Sequence, residues 1–387
     1  MRILFISDYY PSTNRPQFCI YIQQQAQALT LLGHLVEVIV PISTSHFKVK
    51  HDSMLLAGIK VYYLEYSTLY KGTFFYPWFL KNVSNFEKII DFNQYDILSI
   101  HMFQEDTLRI ILKIAKRHKC KVVIHYHGLS VLYDLPLPFL VRALQARGNL
   151  ILKRLIRKAD AIVGVSDKVV ERIHTVYPDQ LTFTVYNGVD TELFLPRLKN
   201  EDTIFKIITV ASLKKIKGNH YLIDAVKILA EQHPDHKFQL LIIGTGPEEA
   251  ALKGQVRKQG LQEVVSFYGY IRYEEVAQIL RTCDVYAMPS YYEALGCAYL
   301  EAMACRLPVI GCRHQGIGEI IHDGYNGILI EPHDVKQLYE KLNFLFEHSD
   351  IAENIGYMGY QTVISNYTWK HSAKSLLAAY ESLLSKE

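Results

Sequence analysis

The sequence predicts two doubly wound, parallel-sheet α/β domains in tandem, facing across a cleft, and three observations predict it. Short apolar runs alternate with helical patterns through the first half of the chain, as parallel βαβ units require. The alternation starts again at Phe205-Lys206-Ile207-Ile208-Thr209-Val210-Ala211. A chain of 387 residues is also long for one core, so two cores are expected.

In the first series the apolar runs predict strands over 2–7, 35–40, 59–63, 97–101, 121–126, 161–165 and 182–186. Helical spacing falls between them over 18–32 (ending at Gly33), 107–118, 138–158 and 167–176. In the second series strands follow near 238–244, 264–268, 284–288, 308–311 and 327–330. The polar stretch Pro196 to Asp202 reads as a linker. The domains are therefore set at 1–195 and 196–368. The last helix, 369–387, carries Leu376, Leu377, Tyr380, Leu383 and Leu384 on one side and is assigned to pack back on the first domain.

Bulk composition narrows the class. Hydrophobic content of 49% and charged content of 21% are those of a globular enzyme. No apolar run reaches the length of a membrane span, and Met1-Arg2-Ile3-Leu4-Phe5-Ile6-Ser7-Asp8 turns polar too soon for a signal peptide. Six scattered cysteines without a C-x-x-C pair point to reduced thiols and a cytoplasmic setting. Residues 1–195 hold 22 Lys/Arg against 16 Asp/Glu, and the remainder holds 20 against 23. The first domain is thus the side that meets an anionic partner. No nucleic-acid motif accompanies that charge. Two segments are candidates for an anionic membrane surface: the basic, apolar 142–158 and the aromatic 62–81.

The most informative stretch is Pro289-Ser290-Tyr291-Tyr292-Glu293-Ala294-Leu295-Gly296-Cys297-Ala298-Tyr299-Leu300-Glu301. Asp284 to Met288 reads as a buried strand and Pro289-Ser290 ends it. A helix starts from Gly296 and closes before Pro308. Glu293 then precedes a helix N-terminus and Glu301 lies about two turns in. Between them stand free backbone N–H groups that suit a phosphate. Carboxylates at both ends of an anion site suit a nucleotide sugar. His127 follows the strand 121–126 and precedes Gly128, at the carboxyl end where ligands bind in open α/β sheets. His125 is assigned to the opposite face of that strand, in the core. The H-x-H pair raises zinc, but no third ligand of suitable spacing stands near, so no metal is expected.

With these residues in view, the chain resembles a retaining glycosyltransferase of family 4, with the GT-B fold, over nearly its whole length. Residues 287–310 resemble the family signature P-S-x-x-E-x-x-G-x-x-x-x-E-A-M-A-C-x-x-P-V-I. Further matching pieces are Tyr126-His127-Gly128, 159–166, Asn187-Gly188-Val189-Asp190, Lys217-Gly218 and Gly324-Tyr325-Asn326-Gly327. The resemblance implies transfer from a nucleotide-sugar donor, UDP by family frequency, to a glycan or lipid-linked glycan in cell-surface polysaccharide synthesis. It implies a cytoplasmic enzyme on the inner face of the membrane, with no cofactor and no metal. Glu301 would accept the ribose hydroxyls, Glu293 would hold a sugar hydroxyl, and the N–H groups of Leu295, Gly296 and Cys297 would face the diphosphate. Lys217 would neutralise the departing diphosphate, and His127 would touch the donor sugar. Gly244 and Gly246 form a tight turn toward the nucleotide, Tyr270 and Ile271 would meet the base, and Gly316 would approach the sugar or phosphates.

Three positions depart from the family pattern. Cys19 and Arg306 stand where glycine is usual, and Ser212 stands where many members have arginine, with Lys214 or Lys215 as substitutes. Cys19 and Ser212 motivate a rival reading, a catalytically silent nucleotide-sugar-binding partner of another transferase. A GT-B epimerase or phosphorylase is a third reading, and the signature around Glu293 speaks against it.

Overall fold

The computed structural model describes residues 1–12, 17–44, 51–67, 76–129, 149–197 and 204–385. They divide into two compact units: Met1–Tyr186 with Trp369–Glu387, and Asn187–Thr368. The change of unit falls at Asn187, ahead of the polar stretch that reads as a linker.

The first unit is built on an eight-stranded sheet in the order β3-β4-β2-β1-β5-β6-β7-β8. The strands are β1 (Arg2–Ile6), β2 (Leu35–Thr44), β3 (His51–Leu56), β4 (Ile59–Ser67), β5 (Ile97–Ile100), β6 (Lys121–Tyr126), β7 (Ala161–Gly164) and β8 (Thr182–Thr184). All neighbours pair in parallel except β3 and β4. That antiparallel edge is a hairpin closed by Ala57 and Gly58, both at positive φ (49° and 80°). A two-residue turn of this kind needs positive φ twice, and the alanine hides it from a sequence reading. The order of the strands reverses at β1, with β2 on one side and β5 on the other. The face bearing Ile3, Phe5, Val38, Ile97, Val123 and Val163 packs with Ala26 and Leu29 of the helix Ile20–Leu31 and with Leu376 and Tyr380 of the helix Trp369–Leu384. The terminal helix therefore belongs to the first core.

The second unit has a six-stranded, all-parallel sheet in the order β11-β10-β9-β12-β13-β14. Its strands are β9 (Ile204–Val210), β10 (Lys237–Ile243), β11 (Val265–Gly269), β12 (Val285–Ala287), β13 (Val309–Cys312) and β14 (Ile328–Ile330). Ile207, Leu240, Ile242, Ala287 and Ile310 form its core with Leu222, Val226 and Leu229 from the helix Asn219–Gln232. The topological switch lies between β9 and β12, the place where an open α/β sheet opens a crevice beyond its carboxyl ends.

Of the two membrane candidates, 68–75 and 142–148 lie outside the described residues. Over 149–156 the chain is helical, with Leu152, Leu155 and Ile156 buried and Arg154, Arg157 and Lys158 exposed. That is a helix packing an apolar stripe inward with a solvated basic face. Among the described residues no helix is long and apolar enough to cross a membrane.

Candidate functional site

The switch point of the second sheet gathers most of the residues singled out by sequence. After β9 the chain passes exposed Ser212, Lys214 and Lys215 and makes a short 3₁₀ turn, Lys215–Lys217. Gly218 follows at φ +72°, where an added Cβ would stand 2.2 Å from the carbonyl oxygen of Pro289. Only glycine lets the two loops meet this closely. After β12, Ser290 is fully buried and its Oγ donates 3.1 Å to the carbonyl of Ile216. The loops from β9 and β12 are thereby tied together, and the Lys217 ammonium pairs with the Glu293 carboxylate. Their side chains are 16% and 12% exposed, so the pair is screened far less than a surface bridge.

Glu293 is held by its backbone as well. Its N–H donates 3.0 Å to Oε1 of Gln315, and its carbonyl accepts 3.2 Å from the N–H of Gly316. A Cβ on Gly316 would lie 1.7 Å from the carbonyl oxygen of Ala294, so this approach also needs glycine. The helix Cys297–Ala304 begins directly after Gly296. Glu301 is its fifth residue, little more than one turn in, where about two turns were expected. Its carboxylate is buried and accepts 2.8 Å from the hydroxyl of Tyr273. Burial pushes Glu301 up to about 7, with the Tyr273 hydrogen bond pulling the other way. Tyr273 itself stands edge-on to Phe194 at 5.0 Å. Asn187 donates 3.3 Å to the sulfur of Cys297. Gly244 and Gly246 pack on the 211–213 backbone, where added Cβ atoms would lie 1.9 and 2.4 Å from the carbonyls of Ala211 and Leu213. Tyr270 is exposed and Ile271 is half-buried beyond β11.

The glycine departures share one cause. Cys19 and Arg306 both hold left-handed backbone, at φ 56° and 61°. These positions ask for the conformation glycine adopts freely, and here residues with a Cβ occupy it. Arg306 offsets the strain with its guanidinium 4.8 Å above the ring of Tyr360. Cys19 makes no side-chain cap to the helix it precedes.

In the first unit, His127 lies just past the end of β6. Two readings of this region are corrected. His125 and His127 share a face, since alternate residues of a strand point the same way, and their rings are 6.0 Å apart. A third imidazole does stand near: Ile100 pairs with Ile124, so His101 at the end of β5 comes level with His125. His101, His125 and His127 each offer a nitrogen within 4.8 Å of the others, close enough to be a candidate metal-ligand set. Their orientation argues for hydrogen bonding instead. The Nδ1 of His101 faces the Nε2 of His127 at 3.1 Å, and the ring centroids are 5.4 Å apart, one ring width more. Those rings meet end to end, so their lone pairs oppose each other and do not converge on a shared ion. The Nε2 atoms of His101 and His125 lie 3.1 and 2.9 Å from Oγ of Ser99. Burial pulls all three imidazoles below the usual histidine range, His127 to about 3, and holds them neutral.

Ser99, His101 and Tyr273 were not singled out in the sequence, and Asn187 entered only as part of the matching piece 187–190. A polar residue closing an apolar run, as His101 does at the end of 97–101, was the available signal for one of them. Asp8 sits at the same end of β1, where it accepts 2.6 Å from Oγ1 of Thr107 and burial raises it to about 7.

The family model for "Glycosyl transferases group 1" matches residues 190–362, and that for "Glycosyltransferase Family 4" matches 20–193. An uncharacterized glycosyltransferase of Methanocaldococcus jannaschii is 29% identical over 61% of this chain and 64% of its own. The chain thus spans just under two thirds of that curated relative. The N-acetyl-alpha-D-glucosaminyl L-malate synthase of Bacillus anthracis is 26% identical over 84% of this chain and 83% of its own. Among solved structures, Anabaena HepE in complex with UDP superposes with a TM-score of 0.73 at 18% identity, over 99% of this chain and all of that one.

Proposed function

The chain belongs to the family 4, group 1 glycosyltransferases of GT-B fold, and on that premise we propose that it moves a sugar from a UDP-sugar to a glycan or lipid-linked glycan acceptor with retention of configuration. The reading is carried by one observation: Lys217 and Glu293 are paired at the switch point of the second sheet. The diphosphate competes for Lys217, which meets the charge that develops as the glycosidic bond breaks. Glu293, released from Lys217, takes a sugar hydroxyl. The N–H groups of Leu295, Gly296 and Cys297 open toward the phosphates at the start of the helix Cys297–Ala304. Glu301 takes the ribose hydroxyls, and its ionised form is the one they favour. Tyr270 and Ile271 border the base, and Gly316 brings backbone beside the sugar. His127 contacts the donor sugar. Diphosphate charge is met by lysine and helix terminus, with no role assigned to a metal. The leaving phosphate oxygen takes the acceptor proton on the face it departs from, so no enzymic base is required.

The cytoplasmic location, the inner membrane face and the role in cell-surface polysaccharide synthesis belong to the same proposal and rest on the basic first unit. The catalytically silent alternative draws on Cys19 and Ser212, and the intact Lys217–Glu293 pair weighs against it. A thermal-shift panel of UDP-, GDP- and ADP-sugars identifies the donor class, because a ligand of the folded state raises the midpoint. Mass-spectrometric assay of donor hydrolysis follows, with wild type and Glu293→Ala side by side. Stabilisation by UDP-sugars and turnover lost in Glu293→Ala are expected; equal turnover in the variant rejects the assignment.

A further inference from the structure

The histidine row of the first unit has a direction. Oγ of Ser99 has one proton and two lone pairs, and three partners surround it: the hydroxyl of Tyr380 at 2.8 Å, Nε2 of His125 at 2.9 Å and Nε2 of His101 at 3.1 Å. Tyr380 donates to Ser99. Full pairing then requires one histidine to donate to Ser99 and the other to receive its proton.

Tyr380 decides between them. Its oxygen also lies 3.3 Å from Nε2 of His125. With the phenol proton committed to Ser99, a bare His125 Nε2 would face oxygen lone pairs. A protonated Nε2 finds two acceptors there instead. His125 therefore donates, Ser99 donates to Nε2 of His101, and the remaining proton of neutral His101 sits on Nδ1. That N–H donates to Nε2 of His127 across 3.1 Å. Neutral His127 must then carry its own proton on Nδ1, an atom that is buried and has no hydrogen-bond partner among the described residues.

We infer that Ser99, Tyr380, His125 and His101 are positioning residues that hold His127 as the Nδ1–H tautomer, so that it presents a neutral N–H donor to an oxygen acceptor of the bound sugar. Which nitrogen of a histidine bears the proton is set by the partner of the other nitrogen, and here that partner chain runs back to a tyrosine on the terminal helix. The burial that keeps all three rings neutral keeps the chain one-way, because a second proton on any ring would reverse a donor. The function of the N–H rests on the reading of His127 as a donor-sugar contact, whereas the direction of the relay does not.

The test uses the full chain labelled with ¹⁵N-histidine and long-range ¹H–¹⁵N spectra of its imidazoles. His127 is assigned by the signal that disappears in His127→Asn. Wild type is expected to show His127 protonated at Nδ1 and bare at Nε2. Ser99→Ala should move it toward the other tautomer, and Ser99→Thr, which keeps the hydroxyl, should restore it. An Nε2–H tautomer in wild type overturns the inference without any variant. An unchanged His127 in both Ser99→Ala and Tyr380→Phe overturns it too. Turnover is measured with the UDP-sugar hydrolysed fastest. Ser99→Ala should lower kcat on the order of tenfold with little change in KM, and Ser99→Thr should recover it. If the tautomer moves and turnover does not, the relay stands and the sugar role of His127 falls. A fall in turnover with the tautomer unmoved sinks the relay.

Discussion

The two units solve the same topological problem with opposite electrostatics. Each places polar side chains at the carboxyl ends of its central strands. In the first, burial strips charge away, and His101, His125 and His127 form a neutral row. In the second, charge is kept: Lys217 faces Glu293, and buried Glu301 stands near the edge of ionisation. A neutral donor suits an uncharged hydroxyl, whereas fixed charge suits an anion. The difference teaches that the same place in a parallel sheet is made neutral by burial in one unit and kept charged by pairing in the other.

The comparison breaks most visibly at Lys217. Replacing it with alanine removes the cation paired with Glu293 at the switch point and leaves that carboxylate without its ion pair. Turnover is expected to fall by about 10²–10³-fold, with donor affinity reduced less. A loss smaller than about tenfold, measured by single-turnover donor cleavage, would move the main charge stabilisation elsewhere.

Glu301→Gln comes next. A charge-assisted hydrogen bond lost to the ribose should weaken UDP binding by about 10- to 100-fold. The pH dependence carries the sharper signature. Ribose hydroxyls favour the carboxylate, so wild-type affinity should rise with pH through about 7, and the variant should show no such step. The apo protein behaves oppositely. A pKa raised above its ordinary 4.5 makes burial of this carboxylate increasingly costly as pH rises from 4.5 to about 7. The melting midpoint of Glu301→Gln relative to wild type should therefore grow between pH 5 and pH 8. A flat difference would mean that Glu301 is not buried as described.

The neutral row should answer pH in the other sense. Histidines depressed below 6.5 contribute stability that is present above 6.5 and lost as pH falls toward the folded value, about 3 for His127. Asp8 and Asp106, both raised to about 7 in the same unit, act in the opposite direction. The imidazole nitrogen shifts, and not the midpoint, are the clean readout. They should stay those of neutral rings from pH 8 to pH 5.5; a titration within that window would remove the contrast between the units.

How much of this was legible in the sequence differs between the two regions in the same way. The charged turn is local: strand, Pro289-Ser290, Gly296 and the helix behind it lie in one stretch, so Glu293 and Glu301 could be placed before any fold was known. The neutral row is assembled from β5, β6 and the terminal helix. Ser99 meets Tyr380 across 281 residues of chain, and no spacing rule reaches that far. His125 could have been placed correctly, since alternation along a strand already puts it beside His127. The parallel alternation was readable throughout, while the β3–β4 hairpin was hidden by an alanine at positive φ. That Glu301 sits near 7 was invisible, because burial is a property of the fold.

The smallest expected effect concerns Cys19, and it bears on whether the first unit is fully competent. Its left-handed φ of 56° is strained for a residue with a Cβ, costing roughly 1–2 kcal/mol. Cys19→Gly relieves that strain and raises the entropy of the unfolded chain by about 0.5–1 kcal/mol. The two nearly cancel, so the melting midpoint should move by no more than a few degrees. The backbone already occupies the conformation that glycine would give it, so turnover is expected to stay within about twofold of wild type. A gain of tenfold or more would show that the Cβ obstructs the donor. In that case the natural chain would be a weakened transferase, held back by a Cβ at the entry to the helix Ile20–Leu31.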